Sequence, residues 1–324
     1  MSLNVFITRQ IPEEGIKLLK KYCQTVEVNP YDRPLSYDEL LRQVKGRDAI
    51  LTMLSDRIDA YLISESNGLK VIANYAVGYD NIDIKAATAK GIVVTNTPGV
   101  LTDSTADMAW ALLFAITRRI VEGDRLTRAG KFVGWAPMLL LGGDIVGKTL
   151  GIVGAGRIGT AMTMRARGWY MKVLYTTQSN RNVVLEEILG AKRVDLETLL
   201  KESDFISIHT PLSEKTKHLI GTKELSLMKK TAYLINTARG AVIDEEALVI
   251  ALRNKQIAGA GLDVYEEEPK LKPGLAELDN VVLAPHLGSA TIEARTKMSV
   301  IAAENIIAVL NGQKPNNCVN QEGI

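Results

Sequence analysis

The sequence predicts an α/β protein that consists of two doubly wound parallel-sheet domains. Short β-branched runs alternate with amphipathic stretches through most of the chain, which is the pattern of parallel strands joined by crossover helices. At 324 residues the chain is also too long for one ordinary hydrophobic core. Two domains with a cleft between them are therefore expected.

The candidate strands fall into two series. Five short runs make up the first series, at residues 4–8, 25–28, 49–53, 70–75 and 92–96. Six more make up the second series, at residues 148–153, 172–176, 205–210, 233–237, 259–264 and 280–285. The second series, separated by helical patterns, predicts a complete Rossmann sheet.

Three helical patterns stand out along the chain. The segment EEGIKLLKKY from Glu13 places its apolar residues on one face. A long pattern from about Asp103 to Arg128 predicts one helix that serves as a spacer between the domains. A last amphipathic pattern from about Thr291 to Leu310 predicts a helix that packs back on the first domain.

Composition excludes several classes of protein. The 39 Lys and Arg nearly balance the 37 Asp and Glu, and no basic run dominates a segment, which excludes a nucleic-acid binder. Cys23 and Cys318 form no C-x-x-C pair, so neither a disulfide framework nor a zinc site is expected. The longest apolar stretches, such as 108–116, are shorter than the roughly 20 residues that span a bilayer. A cytoplasmic protein without a metal or a membrane partner is expected.

A glycine motif predicts the cofactor site. GIVGAGRIG places Gly154, Gly156 and Gly159 in a G-x-G-x-x-G pattern directly after a predicted strand. The motif alone is weak, because glycines at these offsets also occur by chance and an ordinary tight turn would look the same. Here strand, helix and following strand fit one βαβ unit, in which a pyrophosphate approaches the helix N-terminus.

The end of the second strand of this unit favours NADP(H). An NAD-binding domain usually has an acidic residue there, which bonds the ribose 2′-hydroxyl. This chain instead has Thr177, followed by Gln178, Ser179, Asn180 and Arg181. Hydroxyl, amide and guanidinium groups suit a 2′-phosphate, whereas a carboxylate would repel it. The alternative is that Arg181 is only a solvated loop residue and the enzyme accepts NAD(H) or both cofactors.

Two candidate catalytic residues follow strands of the second series. Hydride transfer to a carbonyl needs a proton donor and a cation that holds the substrate carboxylate. Of the three histidines, His286 follows the strand VVLAP at the edge where such sheets bind ligands. Arg239 in NTARGAV also follows a strand and suits a carboxylate. The loop DVYEEEP supplies a carboxylate, but its residue types do not decide among Glu266, Glu267 and Glu268.

Five ordered segments carry a resemblance to a known family. NYAVGYDNID, GIVGAGRIG, INTARGAVIDEEAL, AGAGLDVYEEEP and LAPHLGSAT resemble, in this order and spacing, the D-isomer-specific 2-hydroxyacid dehydrogenases, and the likeness runs nearly end to end. Within that family the chain is most similar to the glyoxylate and hydroxypyruvate reductases, a likeness that includes the loop GKFVGWAPMLLLG. The resemblance implies that Arg239, Glu268 and His286 are catalytic.

The resemblance also implies further contacts and an oligomer. The additional residues implied to contact the cofactor are Thr105, Arg157, Ile158, Pro211, Thr216, Thr237, Ala238, Asp263 and Gly288. Those implied to contact the substrate, besides Arg239 and His286, are Leu54, Ser55, Val77 and Gly78. Trp135 is implied to reach a partner in a homodimer.

The family likeness implies an architecture and an activity. Residues 1–98 with 289–324 would form a discontinuous, flavodoxin-like substrate domain, and residues 99–288 the Rossmann cofactor domain. The implied activity is NADPH-dependent reduction of glyoxylate or hydroxypyruvate to a D-2-hydroxy acid. The alternatives are an NAD-dependent dehydrogenase of another D-2-hydroxy acid or of phosphite, and a non-catalytic NAD(H)-sensing corepressor.

Overall fold

A computed structural model describes residues 3–178 and 181–320 of the chain. The chain divides into two compact units. One comprises Met1–Leu101 and Ala290–Ile324, and the other comprises Thr102–Ser289. They are called unit one and unit two below.

Parallel strands and α-helices alternate through the described residues. The strands are β1 (Asn4–Ile7), β2 (Thr25–Val28), β3 (Ala49–Thr52), β4 (Val71–Asn74), β5 (Val93–Thr95), β6 (Thr149–Val153), β7 (Lys172–Thr176), β8 (Lys192–Arg193), β9 (Phe205–Ile208), β10 (Tyr233–Asn236), β11 (Gly259–Leu262) and β12 (Val281–Leu283). The helices are α1 (Glu13–Tyr22), α2 (Tyr37–Gln43), α3 (Ala60–Glu65), α4 (Ile84–Ala89), α5 (Thr102–Thr117), α6 (Ile120–Arg128), α7 (Arg157–Ala166), α8 (Leu196–Glu202), α9 (Thr222–Leu227), α10 (Glu245–Arg253) and α11 (Ile292–Leu310).

Unit one contains a five-stranded sheet in the order β2-β1-β3-β4-β5, which is the flavodoxin-like order. Aspartate side chains cap two of its crossover helices, since Asp59 accepts from Leu62 N–H at α3 and Asp83 accepts from Ala86 N–H at α4. The strands β3 and β4 are buried on both faces, as expected for a parallel sheet covered by helices. The last helix, α11, packs against α1 within this unit.

Unit two contains a seven-stranded sheet in the order β12-β11-β10-β9-β6-β7-β8. Counted within the unit, this is the Rossmann order with one additional strand at the β12 edge. All of its strand pairs are parallel. The predicted fold class is therefore confirmed: each unit is an α/β unit built on one parallel sheet.

The helix predicted from about Asp103 to Arg128 is wrong in two respects. It is broken between α5 and α6, because Arg119 adopts a left-handed backbone conformation with a φ of 52°. It is also no spacer, since α5 buries Leu112 and Leu113 in the core of unit two. The strand β8 was not predicted, because its two charged residues carry no strand pattern.

Within residues 3–178 and 181–320, no helix has both the length and the hydropathy needed to cross a membrane. The same residues contain no group of three or more His, Cys, Asp or Glu side chains that could hold a metal ion. Cys23 and Cys318 are both free thiols.

Candidate active site

His286 is held in place from the neighbouring strand. It follows β12, and Asp263 directly follows β11, which pairs with β12. The Asp263 carbonyl accepts the His286 N–H at 2.9 Å. Its carboxylate accepts the N–H groups of Leu287 and Gly288 at 2.6 and 2.7 Å. Three successive N–H groups thus bind one residue, which stabilises the left-handed conformation of His286 at a φ of 57°.

Glu268 forms the partner of the His286 ring. Its Oε2 lies 2.9 Å from Nδ1 of His286, and its Oε1 accepts the N–H of Tyr265 at 3.0 Å. Burial raises the pKa of the Glu268 carboxyl, but the hydrogen bond and charge of His286, the Tyr265 N–H and the Arg239 charge together outweigh burial, and the net pKa is lowered. An ionised carboxylate only accepts hydrogen bonds, so Nδ1 must donate. Nε2 of His286 has no hydrogen-bond partner within the described residues and can act on a ligand.

The three consecutive glutamates make their shortest side-chain contacts with three different residues. Glu266 Oε1 lies 2.7 Å from His218 Nε2, and Glu267 Oε1 accepts from Lys272 Nζ at 2.8 Å. Of the three, Glu268 is the one whose carboxylate meets His286. The structure thus separates residues that the sequence pattern left equivalent.

Arg239 lies in a tight turn that follows β10. The Asn236 side chain organises this turn, since its Nδ2 donates to the Arg239 carbonyl at 2.9 Å and its Oδ1 accepts from Ala238 N–H at 3.0 Å. At Gly240 the turn packs closely against the loop that contains the three glutamates. A Cβ on Gly240 would lie 1.8 Å from the carbonyl carbon of Tyr265. This contact, which only glycine permits, brings the Arg239 charge near enough to lower the pKa of Glu268.

The other two histidines lie in different surroundings. Burial lowers the pKa of His209 to about 4, so its ring is neutral at pH 7. Its Nε2 lies 2.9 Å from Ser207 Oγ. His218 pairs with Glu266. The described contacts therefore bring one of the three histidines, His286, together with Glu268.

The glycine motif forms a cradle that suits a pyrophosphate. Gly154 has a φ of 105°, and a Cβ there would lie 2.5 Å from the His209 carbonyl oxygen. Gly156 precedes α7 with no side-chain cap and with open space where a Cβ would be. The first N–H groups of α7, at Arg157, Ile158 and Gly159, are thus left for an anion. The residues fit a dinucleotide cofactor.

The remaining predicted cofactor residues lie in unit two in three places. Thr105 and Asp263 both flank Gly288, whose Cβ would lie 3.4 Å from Thr105 Cγ2 and 3.3 Å from Asp263 Oδ2. Thr216 Oγ1 donates to the Pro211 carbonyl at 2.6 Å. Thr237, beside Ala238, has a buried hydroxyl that finds no hydrogen-bond partner among the described residues. An orphaned hydroxyl of this kind suits a ligand contact.

The end of β7 contains a cation that sequence reasoning missed. Arg193, on the edge strand β8, donates to the Thr177 carbonyl at 3.3 Å. The register of β7 and β8 pairs Tyr175 with Arg193 and explains this position, which no spacing rule would reveal. The predicted Arg181 is exposed and forms ion pairs with Glu186 and Glu187. The predicted contact Asn180 lies outside the described residues.

The predicted substrate residues lie on two turns of unit one. Leu54 and Ser55 follow β3, and Val77 and Gly78 follow the adjacent strand β4. Leu54 and Ser55 line an open cavity of about 420 Å³, together with Asn81 and the aspartates nearby. Because β3 and β4 pair in parallel, both turns lie at the carboxyl ends of the strands, on the same side of the sheet.

Comparisons with known proteins identify the family. The family model described as "D-isomer specific 2-hydroxyacid dehydrogenase, NAD binding domain" matches residues 110–288, which are more than half of the chain. The chain belongs to this family and is an NAD(P)-dependent D-2-hydroxyacid dehydrogenase. The resemblance inferred from the five sequence motifs is thus confirmed.

Within the family the chain is similar to glyoxylate reductases. It is 54% identical to the glyoxylate reductase of Thermococcus litoralis over 99% of this chain and 98% of that protein. The crystal structure of the TT0316 protein from Thermus thermophilus has a TM-score of 0.90 at 45% identity and covers 98% of this chain and 100% of that one. An NADPH-dependent glyoxylate/hydroxypyruvate reductase from Sinorhizobium meliloti, solved with NADP and malonate, has a TM-score of 0.86 at 30% identity and covers 100% of this chain and 98% of that one.

Proposed function

We propose that this enzyme uses NADPH to reduce glyoxylate and hydroxypyruvate to the corresponding D-2-hydroxy acids. The observation that carries the proposal is the pair formed by His286 and Glu268, with the Arg239 charge beside it. A proton donor, its carboxylate partner and a cation for a carboxylate are what reduction of a 2-keto acid requires. The name of the relative from Thermococcus litoralis supports glyoxylate as the substrate.

The proposed roles follow from the geometry of the site. A nicotinamide cofactor held at the glycine cradle of Gly154, Gly156 and Gly159 would supply hydride for this reduction. Protonated His286 donates the proton on Nε2 to the carbonyl oxygen, while Glu268 keeps Nδ1 as a donor and balances the positive charge. Arg239 binds the substrate carboxylate with its planar guanidinium and polarises the adjacent ketone. In the reverse direction His286 accepts the proton.

The preference for NADPH rests on the residues at the end of β7. Thr177 replaces the acidic residue that would repel a 2′-phosphate, and Arg181 and Arg193 offer positive charge nearby. Arg181 would have to exchange Glu186 and Glu187 for the phosphate, whereas Arg193 already contacts the Thr177 backbone. The relative from Sinorhizobium meliloti, described as NADPH-dependent, supports the same preference.

We assign the two units different tasks. The substrate domain, with the bounds 1–98 and 289–324 predicted from the sequence, agrees with unit one to within three residues and contributes Leu54, Ser55, Val77 and Gly78. Residues 99–288 form the cofactor domain, which contributes the glycine cradle and the catalytic set. The free thiols Cys23 and Cys318 suit a reducing compartment, and we propose the cytoplasm.

A homodimer is proposed from the loop that connects α6 with β6. This loop exposes large apolar side chains, among them Val133 (99% exposed), Trp135 (85%) and Met138 (76%). A concentration of such side chains on one segment marks a protein interface. We therefore propose that this loop contacts a second copy of the chain.

The direct test is a turnover assay. Purified protein is mixed with glyoxylate or hydroxypyruvate and either NADPH or NADH, and loss of reduced cofactor is followed by absorbance. We expect turnover with both keto acids and a higher kcat/KM with NADPH. His286→Ala should lower kcat at least about a hundredfold and leave NADPH affinity nearly unchanged. Inactivity with every small 2-keto acid, or oxidation of phosphite with NAD instead, would overturn the proposal.

A further inference from the structure

The two predicted substrate turns of unit one are joined by asparagine side chains. Asn74, the last residue of β4, is fully buried. Its Nδ2 donates to the Gly78 carbonyl at 2.8 Å, and its Oδ1 accepts from Thr52 Oγ1, on β3, at 3.0 Å. One amide thus binds the turn after β4 and the end of the adjacent strand.

Asn81 extends this connection to the other turn. Its Nδ2 donates to the carbonyls of Met53 and Asp56 at 3.1 and 3.0 Å. These two carbonyls flank Leu54 and Ser55. Its Oδ1 accepts from Asn74 Nδ2 at 3.1 Å. The amide orientation is determined by this pattern, because a flipped side chain would place its oxygen against two carbonyl oxygens.

A third asparagine binds the turn after β4, which contains Val77 and Gly78. Asn96, which follows β5, donates from Nδ2 to the Val77 carbonyl at 2.8 Å. The carbonyls of Val77 and Gly78 are therefore each held by one amide donor. In a trans peptide the next N–H points opposite to the carbonyl, so the N–H groups of Gly78 and Tyr79 point away from these asparagines. Neither N–H donates to a protein acceptor within the described residues.

The Asp56 side chain also holds the turn that contains Leu54 and Ser55. This buried carboxylate accepts the Met53 N–H at 2.8 Å and the Thr8 hydroxyl at 2.5 Å. Met53 is thus held at its N–H by Asp56 and at its carbonyl by Asn81. The turn therefore has little freedom to move away from the turn after β4.

We propose that Asn74, Asn81 and Asn96 are positioning residues that hold the Gly78 and Tyr79 N–H groups, and the Leu54–Ser55 turn, in the geometry that binds the carboxylate of a 2-keto acid. This inference rests on the proposed function, because it assigns these asparagines to the substrate of that reaction. The three asparagines belong to unit one, whereas the cofactor cradle and the His286–Glu268 pair belong to unit two. Their loss should weaken binding of the substrate carboxylate and spare cofactor binding.

The test compares Asn81→Ala, Asn81→Asp and Asn96→Ala with the control Asn67→Ala. Asn67 is exposed and belongs to the same unit. The measurements are KM and kcat for glyoxylate, the affinity of oxamate for the NADPH complex by calorimetry, the Kd of NADPH by fluorescence, and the melting temperature. Oxamate presents a carboxylate beside a carbonyl, as glyoxylate does, and its binding requires no turnover.

We expect Asn81→Ala and Asn81→Asp to raise KM and weaken oxamate binding about tenfold, since two hydrogen bonds to the turn are lost. Asn96→Ala, which releases one carbonyl, should have an effect of about threefold. The Kd of NADPH should stay within about twofold for all variants, and Asn67→Ala should resemble the wild type.

Each other outcome decides the question. Unchanged KM and oxamate affinity in folded Asn81 and Asn96 variants would overturn the positioning role. A parallel loss of oxamate and NADPH binding would overturn it too, because general damage to the fold would then explain both. If Asn81→Ala does not fold, Asn96→Ala decides by the same measurements. A wild type that is inactive on keto acids but binds oxamate, with weaker binding in the variants, would refute the proposed function and retain the asparagine role.

Discussion

Glu268 Oε2 lies 2.9 Å from Nδ1 of His286, although the two residues belong to different loops that follow neighbouring strands. The pair orients the ring so that Nε2 is left without a protein partner in the described residues. The Glu268 side chain is 31% exposed, and its pKa is lowered because the His286 contacts, the Tyr265 N–H and the Arg239 charge together outweigh burial. It therefore remains ionised to a lower pH than an ordinary glutamate does.

The first prediction concerns the adjacent glutamates. Glu268→Gln keeps the size of the side chain but removes the charge that holds the imidazole, so kcat should fall about tenfold to a hundredfold. Glu267→Gln is the matched control, because exposed Glu267 pairs with Lys272 instead, and it should change kcat less than about twofold. Steady-state kinetics with glyoxylate measure both. Equal effects of the two substitutions would refute the assignment of Glu268.

The second prediction concerns Asp263. Asn in its place keeps one acceptor but loses the other, so either Leu287 or Gly288 loses its hydrogen bond. Asp263→Asn should lower kcat about tenfold and the free energy of unfolding by about 1–3 kcal/mol. The exposed Asp279→Asn serves as the control for urea unfolding and turnover. Normal turnover in Asp263→Asn would show that His286 does not depend on this support.

The third prediction separates the two arginines near Thr177. Arg193→Ala should raise the KM for NADPH roughly tenfold or more and leave that for NADH nearly unchanged, since a charged hydrogen bond contributes about 1.5–3 kcal/mol. Arg181→Ala should act in the same direction but more weakly, because Arg181 is paired with Glu186 and Glu187. Thr177→Asp should reverse the preference toward NADH. An NADPH preference unaffected by all three substitutions would contradict this site.

The fourth prediction is a pH dependence of stability. The pKa of His209 is lowered by burial to about 4, from 6.5 in the unfolded chain. The unfolded state therefore binds more protons between these pH values, and stability is present above pH 6.5 and lost as the pH falls toward 4. His209 should account for about 2 kcal/mol of the difference in unfolding free energy between pH 7 and pH 5. Urea titrations of wild type and His209→Asn at both pH values measure it, and identical pH dependence would disprove it.

The fifth prediction concerns the exposed loop after α6. Trp135→Lys places a charge on the proposed dimer surface and should shift the protein toward monomer in sedimentation velocity experiments. Tyr22→Lys, at an aromatic residue 57% exposed in unit one, is the control and should leave the assembly unchanged. A wild type that sediments as a monomer at all concentrations would reject the homodimer.

Most of the fold was predictable because buried parallel strands read as short β-branched runs. β1, β9 and β10 appear where those runs lie, ending one or two residues earlier than predicted. β8 was not predictable, since Lys192 and Arg193 become a strand only through pairing with β7. The break before α6 was not predictable either, because neither glycine nor proline marks it and Arg119 itself adopts the left-handed conformation.

The candidate site was predictable in its residue types and less so in its contacts. His286 and Arg239 follow strands, and that position alone suggested a ligand site. The choice of Glu268 among three glutamates depends on loop geometry that no periodicity encodes. The asparagine connections between the turns after β3 and β4 are likewise tertiary, since Asn81 and Met53 are 28 positions apart.

The contact at Gly240 bears on how this enzyme tolerates mutation. Gly240 carries no functional group, yet any side chain there would force apart the turn that contains Arg239 and the loop that contains Glu268. A saturation library selected for activity should therefore lose nearly all replacements at Gly240, as it does at His286. Sequence variation within this enzyme is thus restricted at a buried position that has no side chain.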